Sequence, residues 1–145
     1  MINKYRNKRV EYDGHKFDSH LEMERYKQLK LLEKGGKIHN LILQPKFELQ
    51  PKFESKDGEK IRAITYISDF SYYELSSKSW IIEDVKGKLT EVYKLKKKLL
   101  MYKITRGIYI LTDSKDTEYI GHIHVHVNKA GEFRELYKKD IIGVS

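Results

Sequence analysis

The sequence predicts a small α/β or α+β domain built on a mixed sheet. Two stretches with helical periodicity, "DSHLEMERYKQLKLLEKGG" and "TEVYKLKKKLLMYKITRG", each carry a cap residue at the start and glycine at the end. Between them lie apolar strand patterns around "LILQPKFEL", "IRAITYISDFSYYEL" and "WIIEDVK". After the second helix comes "IYIL", a short, wholly apolar run of the kind found in a parallel sheet after a crossover helix. The predicted order is hairpin, helix, three strands, helix, strand, strand and a short terminal helix.

The elements follow in order. "KYRNKRV" is a basic arm, either a frayed terminus or a phosphate-contacting segment. Asp13-Gly14 sits between two alternating stretches, a type I′ hairpin signal. Asp18 or Ser19 caps the first helix, and Gly35-Gly36 end it. Leu21, Leu29 and Leu32 share one helical face, with Tyr26 at its edge. Glu22 and Arg25 fall inside that face, an unusual place for charge. "QPKFE" then occurs twice, placing Phe47 and Phe53 on one side of a strand. Pro45 and Pro51 limit this region to an edge strand or two short pieces.

"IRAITYISDFSYYEL" reads as one long central strand, apolar on both faces and interrupted by Asp69. On the next strand Trp80, Ile82, Asp84 and Lys86 share one face, and Ile81, Glu83 and Val85 take the other. Thr90 caps the second helix, whose expected packing stripe is Val92, Leu95, Leu99 and Tyr102. "HIHVHV" is a further strand, and "KAGEFRELYKKD" reads as the terminal helix.

Composition sets the class. The 145 residues suit one domain: an arm and hairpin over 1–17, a core over 18–112, and a C-terminal strand and helix over 113–145. With 39% hydrophobic and 34% charged residues the chain is globular with a polar exterior. A net charge of +8 favours a polyanion, nucleic acid before anionic membrane. The absence of cysteine excludes disulfides and thiolate chemistry and permits a reducing compartment. The charged N-terminus is no signal peptide, and no apolar run reaches the ~20 residues of a membrane span. A cytoplasmic protein with no membrane partner is the expectation.

The chemistry concentrates in "IIEDVKG". Asp84 and Lys86 point the same way on a strand, roughly 7 Å apart at Cα. A hairpin register that brings Asp69 beside Asp84 sets two carboxylates together, which repel unless one is protonated or a cation sits between them. Glu22 from the first helix completes an oxygen-rich cluster suited to magnesium or manganese. Such a cation neutralises a phosphodiester and acidifies a water for in-line attack, while a lysine stabilises developing charge.

"ISDF" followed by "IEDVKG", with a glutamate on a preceding helix, resembles the PD-(D/E)XK nuclease superfamily, the restriction-endonuclease-like fold with an αβββαβ core. "KFDSHLEMERY", "LQPKFEL" and "EDVKG…TEVYKLKKKL" look like the small phage and prophage nucleases related to Holliday-junction resolvases. The resemblance implies a magnesium-dependent endodeoxyribonuclease, with manganese as substitute, acting on branched DNA as a homodimer. By position, Glu22, Asp69 and Asp84 hold the metal, and Lys86 orients the water or stabilises the transition state. Lys88, Thr90, Lys94, Lys96, Lys97 and Lys98 become candidate DNA contacts. One departure is Ser68, standing where the superfamily often has proline. A restriction-type or transposition-type end cutter, or a non-catalytic nucleic-acid-binding protein, are the alternatives.

Plainer roles compete. Ser19 to Glu22 fits a capping box. Asp84 and Lys86 also fit an exposed ion pair, and Glu83 a partner for a surface cation. Arg25 reads as the ion-pair partner of Glu22. Lys96 snorkels from the helix edge or reaches the phosphate. Lys94, Lys97 and Lys98 fit a solvated face. His122, His124 and His126 read as a polar strand face rather than a zinc site.

Overall fold

The computed structural model describes residues 9–86, 89–106 and 121–138. Most of the basic arm, Lys88 and the "IYIL" run lie outside them. Strands β1 (Val10–Tyr12) and β2 (His15–Phe17) form the expected hairpin. Asp13 (φ 54°) and Gly14 (φ 76°) both take the left-handed conformation that a type I′ turn requires. Helix α1 (His20–Lys34) starts where Ser19 Oγ accepts the Glu22 N–H at 3.1 Å. It ends at Gly35, followed by Gly36 at φ 73°. Its buried stripe runs through Met23, Tyr26 and Leu29, while Leu32 is exposed. Tyr26 draws that stripe inward by packing on Phe17 and Phe70, with ring centroids at 5.1 and 6.4 Å.

The chain then runs through β3 (Ile38–Leu43), β4 (Lys46–Gln50), β5 (Phe53–Glu54), β6 (Lys60–Ile61), β7 (Ile64–Ile67), β8 (Phe70–Glu74) and β9 (Ser79–Val85). Helix α2 (Glu91–Thr105), β10 (Gly121–Asn128) and β11 (Gly131–Lys138) follow. The central sheet has the order β11-β10-β9-β8-β3. Strand β8 is antiparallel to β3 and β9, and β10 is parallel to β9. Helix, three antiparallel strands, helix and parallel strand is the αβββαβ order in a mixed α+β fold.

Three strand expectations change. The long strand over 61–75 is broken into β6, β7 and β8, because β3–β4 and β7–β8 form one ribbon that bends between two sheets. At the bend Gln44 N–H bonds the Asp69 carbonyl at 2.9 Å and Ser68 N–H bonds the Pro45 carbonyl at 3.2 Å. Pro45 has no N–H to continue the pairing, and Gln44 turns at φ 51°. A proline in place of Ser68 would forfeit its bond to Pro45. Secondly, the two "QPKFE" copies split: Phe47 is buried on β4, whereas Phe53 on β5 is exposed. Thirdly, the terminal helix is strand β11, which pairs with β10 along its whole length. Covering that open strand edge outweighs the helical propensity of "EFRELYKK".

Both faces of the sheet are buried. Tyr26, Leu29, Phe70, Tyr72, Ile81 and Val125 pack on the α1 side. Phe47, Tyr66, Ile82, Tyr93, Leu100 and Ile104 pack on the α2 side. Helix α2 is therefore turned by about one residue, ~100°, from the expected stripe. Tyr93 and Leu100 are buried, while Val92, Leu95, Leu99 and Tyr102 are exposed. The turn lets Tyr93 meet His124 and lets Lys96 Nζ bond the Thr65 carbonyl at 2.9 Å.

A buried ion pair ties α1 to the sheet. Arg25 donates to Glu83 through Nε at 2.7 Å and Nη2 at 2.8 Å. Tyr72 donates its hydroxyl to Glu83 at 2.7 Å. Glu83 is fully buried, and Arg25 Nη1 also meets Glu132 at 2.8 Å. Arg25 is thus the partner of Glu83 rather than of Glu22, and the cation beside Glu83 is buried rather than on the surface. A bidentate fork satisfies a buried carboxylate in a way a surface lysine cannot. Arg25→Ala leaves that carboxylate uncompensated. Urea denaturation should show a loss of about 3–5 kcal/mol.

Candidate active site

Asp69 stands at the bend of the ribbon, one residue before β8. Continuing the pairing of Phe70 with Glu83 by one step sets Asp69 opposite Asp84. The bend frees the Asp69 side chain from ordinary strand placement. Its backbone N–H bonds the Glu83 carbonyl at 3.1 Å, and its Oδ2 accepts the Val85 N–H at 2.7 Å. The acid is thereby locked to the strand that carries Asp84 and Lys86.

Glu22 projects from the first turn of α1. Glu22 and Asp69 line one cavity of about 420 Å³, together with His15, Lys16 and Gln44. Glu22 is only 4% exposed. Burial, then the negative charge of Asp69, push its carboxyl from 4.5 up to about 7. A hydrogen bond from the Asp18 backbone and the charge of Lys86 oppose that rise. Glu22 therefore combines a capping contact with a place beside Asp69. Burial likewise raises Asp69 from 3.8 to about 6. The Val85 N–H and Lys86 lower it, and Asp84 raises it.

Asp84 faces the α2 side. It is 1% exposed, so it is no surface ion-pair partner. Its Oδ2 accepts the Tyr66 hydroxyl and lies 3.2 Å from His124 Nε2. The same nitrogen is 3.1 Å from the Tyr66 hydroxyl and 3.0 Å from that of Tyr93. The Lys86 ammonium rests over the Tyr93 ring, 5.0 Å from its centroid. The Lys86 backbone is fixed by a 2.9 Å bond to the Val127 carbonyl and a 2.7 Å bond from His126 Nε2.

The expected metal set is thus divided. Glu22 and Asp69 share a cavity that Asp84 does not line, Asp84 lies one register step beyond the Phe70–Glu83 pair, and Lys86 acts electrostatically on both Glu22 and Asp69. Among the described residues, no group of three or more His, Cys, Asp or Glu side chains is gathered to hold a metal ion. The donor chemistry fits magnesium or manganese, since all three acids offer hard oxygens.

Of the expected DNA contacts, Lys88 lies outside the described residues, and Lys94, Lys96, Lys97 and Lys98 lie on α2. Thr90 is its N-cap, accepting the Tyr93 N–H at 3.1 Å. Lys94 pairs loosely with Glu91 at 3.4 Å, Lys98 is exposed and Lys97 is half-buried. Lys96 is anchored to β7 through Thr65, as a snorkelling side chain would be. The expected polar histidine face is corrected in part: His124 is buried among Tyr66, Tyr93 and Asp84, and His126 is half-buried.

Sequence reasoning missed His15, Lys16 and Gln44 in the cavity, and Tyr66, Tyr93 and His124 around Asp84. The "DG" turn predicted the hairpin but not where it would fold. Gln44 carried one usable cue, its position before a proline at a break between two strand patterns.

The carboxyl shifts predict a pH dependence for the metal-free protein. A carboxyl raised in the native state binds its proton more tightly folded than unfolded. Its stabilising contribution is full below about pH 4 and is lost as pH rises through about 6 for Asp69 and about 7 for Glu22. Thermal melts in chelator should therefore show Tm falling between pH 5 and pH 8 from these groups. Glu22→Gln should flatten that fall.

No curated protein and no solved structure matches the chain. Residues 2–119 match the family described as "Protein of unknown function (DUF1064)". That match covers well over half of the sequence, and the chain belongs to this family.

Proposed function

We propose that this protein is a metal-dependent DNA endonuclease that hydrolyses phosphodiester bonds in branched DNA, in the manner of Holliday-junction resolvases. One observation carries the reading. Glu22 and Asp69 line a common cavity, with Asp69 in register opposite Asp84, and burial holds Glu22 and Asp69 near neutral pKa values, where a cation competes with protons. The superfamily resemblance of Asp84 and Lys86 and the +8 charge support it.

A bound magnesium or manganese ion supplies phosphate neutralisation and an acidified water. Glu22, Asp69 and Asp84 are the residues that would hold it. Lys86, whose ammonium rests over the Tyr93 ring, would stabilise charge developing on phosphorus. His15 and Lys16, which line the same cavity, would offer contacts to the backbone of the substrate. Lys94, Lys97 and Lys98 on α2 extend a basic surface for further phosphates. A homodimer in the cytoplasm, presenting two sites to two strands, completes the proposal.

A second reading is a nucleic-acid-binding protein without catalysis. It is favoured by the lack of a gathered three-acid cluster among the described residues. No helix among them is long and apolar enough to cross a membrane.

The test is cleavage of junction, flap, duplex and single-stranded DNA in magnesium and in chelator, with Asp84→Asn alongside. The endonuclease reading expects magnesium-dependent cutting of branched substrates. In Asp84→Asn cutting should drop at least about 100-fold, roughly the loss of one key electrostatic contact to the transition state, with binding retained. Binding without cutting by the unaltered protein supports the second reading.

A further inference from the structure

The Asp84 surroundings hold polar groups that the proposed reaction does not use. Tyr66 and His124 are buried, and both approach one oxygen of Asp84. Tyr93 closes the group by meeting His124 through its hydroxyl and Lys86 through its ring. The members come from β7, β10 and α2, so only the assembled fold creates this array.

We propose that Tyr66 and His124 are positioning residues that hold the Asp84 carboxylate in the orientation needed to bind a divalent cation. This rests on the reading above that Glu22, Asp69 and Asp84 share such an ion.

The argument begins with the oxygens. The hydrogen bonds to Asp84 fall on Oδ2, and that to Asp69 also falls on Oδ2. Among the described residues, each of these two acids thus has Oδ2 tied to the scaffold, and none of these bonds falls on Oδ1. Proton placement favours a fixed array. The Tyr66 hydroxyl has one proton and gives it to Asp84 Oδ2. His124 Nε2 can donate to Asp84 or accept from Tyr93, but not both at once. Tyr66 is therefore the constant partner of Asp84, and His124 is the adjustable one.

Outer partners of metal-binding carboxylates fix geometry and basicity, and their loss typically costs 10–100-fold in metal affinity. Tyr66→Phe is the sharpest probe. It keeps the ring that packs against Phe47 and removes only the hydroxyl. His124→Leu removes the second partner from a different strand.

The experiment titrates Mn2+ into the full chain by electron paramagnetic resonance, comparing the unaltered protein with Tyr66→Phe, His124→Leu and Asp84→Asn. Apo-protein Tm is recorded for each. The expected result is a Mn2+ Kd raised about 10–100-fold in Tyr66→Phe, with a change in the Mn2+ line shape. His124→Leu should shift in the same direction, and Asp84→Asn should lose more. A purely structural role would lower Tm and leave the Kd of the folded fraction unmoved. If Tyr66→Phe folds and binds Mn2+ as the unaltered protein does, the inference is overturned while the nuclease reading stands. Should Tyr66→Phe fail to fold, an unchanged Kd in His124→Leu overturns it and a weakened one supports it. If the unaltered protein binds no Mn2+, or Asp84→Asn binds it equally well, both readings fall.

Discussion

The pairing of β8 with β9 is the constraint on which the rest of the site depends. Its register joins Phe70 to Glu83, and its last contacts are the Asp69 N–H to the Glu83 carbonyl and the Val85 N–H to Asp69 Oδ2. A slip by one residue would exchange the faces of β9. Glu83 would then leave Arg25, and Asp84 would leave Tyr66 and His124. The bend beside Asp69 protects the register. Pro45 offers no N–H to extend β3, and Ser68 caps the bend through its bond to the Pro45 carbonyl. The ribbon is therefore pinned where the proposed chemistry needs it.

Adjacent acids on β9 show how burial and pairing divide the work. Glu83 faces α1 and is met by a guanidinium fork and a phenol. Asp84 faces α2 and is met by a phenol and an imidazole. The former arrangement is electrostatically complete within the chain. The latter stands near Asp69 and Glu22, whose carboxyls are raised first by burial and then by neighbouring carboxylates. The exposed apolar residues of α2 follow from the same economy. Turning Tyr93 inward to His124 and Lys96 to Thr65 leaves Val92, Leu95, Leu99 and Tyr102 facing outward.

Much of this was legible before folding. The DG turn, the Ser19 and Thr90 caps and the two faces of β9 follow from local stereochemistry, so local pattern sufficed. The charged pair inside the α1 face flagged Glu22 and Arg25 as residues requiring partners. What failed was long-range. Nothing local distinguishes a bent ribbon spanning two sheets from one long strand. Nor does "GEFRELYKK" reveal that β10 offers an open edge for pairing. The partner of Arg25 lies 58 residues away, and His124 meets Asp84 across 40, so neither pairing is visible to periodicity. The helical wheel of α2 misled because it ranked Val92 above Tyr93 by apolarity, whereas the fold selected the residue whose hydroxyl had a buried partner.

The central claim is that three carboxylates and one ammonium, carried on α1, β8 with its preceding bend, and β9, form a single divalent-cation site. A crystal structure with manganese, located by its anomalous scattering, tests it most directly. The account predicts one or two manganese positions bridged by Glu22, Asp69 and Asp84, with Tyr66 still bonded to Asp84 Oδ2 and Lys86 close by. Manganese bound elsewhere, or Glu22 and Asp84 left on separate sides of the sheet with no ion between them, would contradict it.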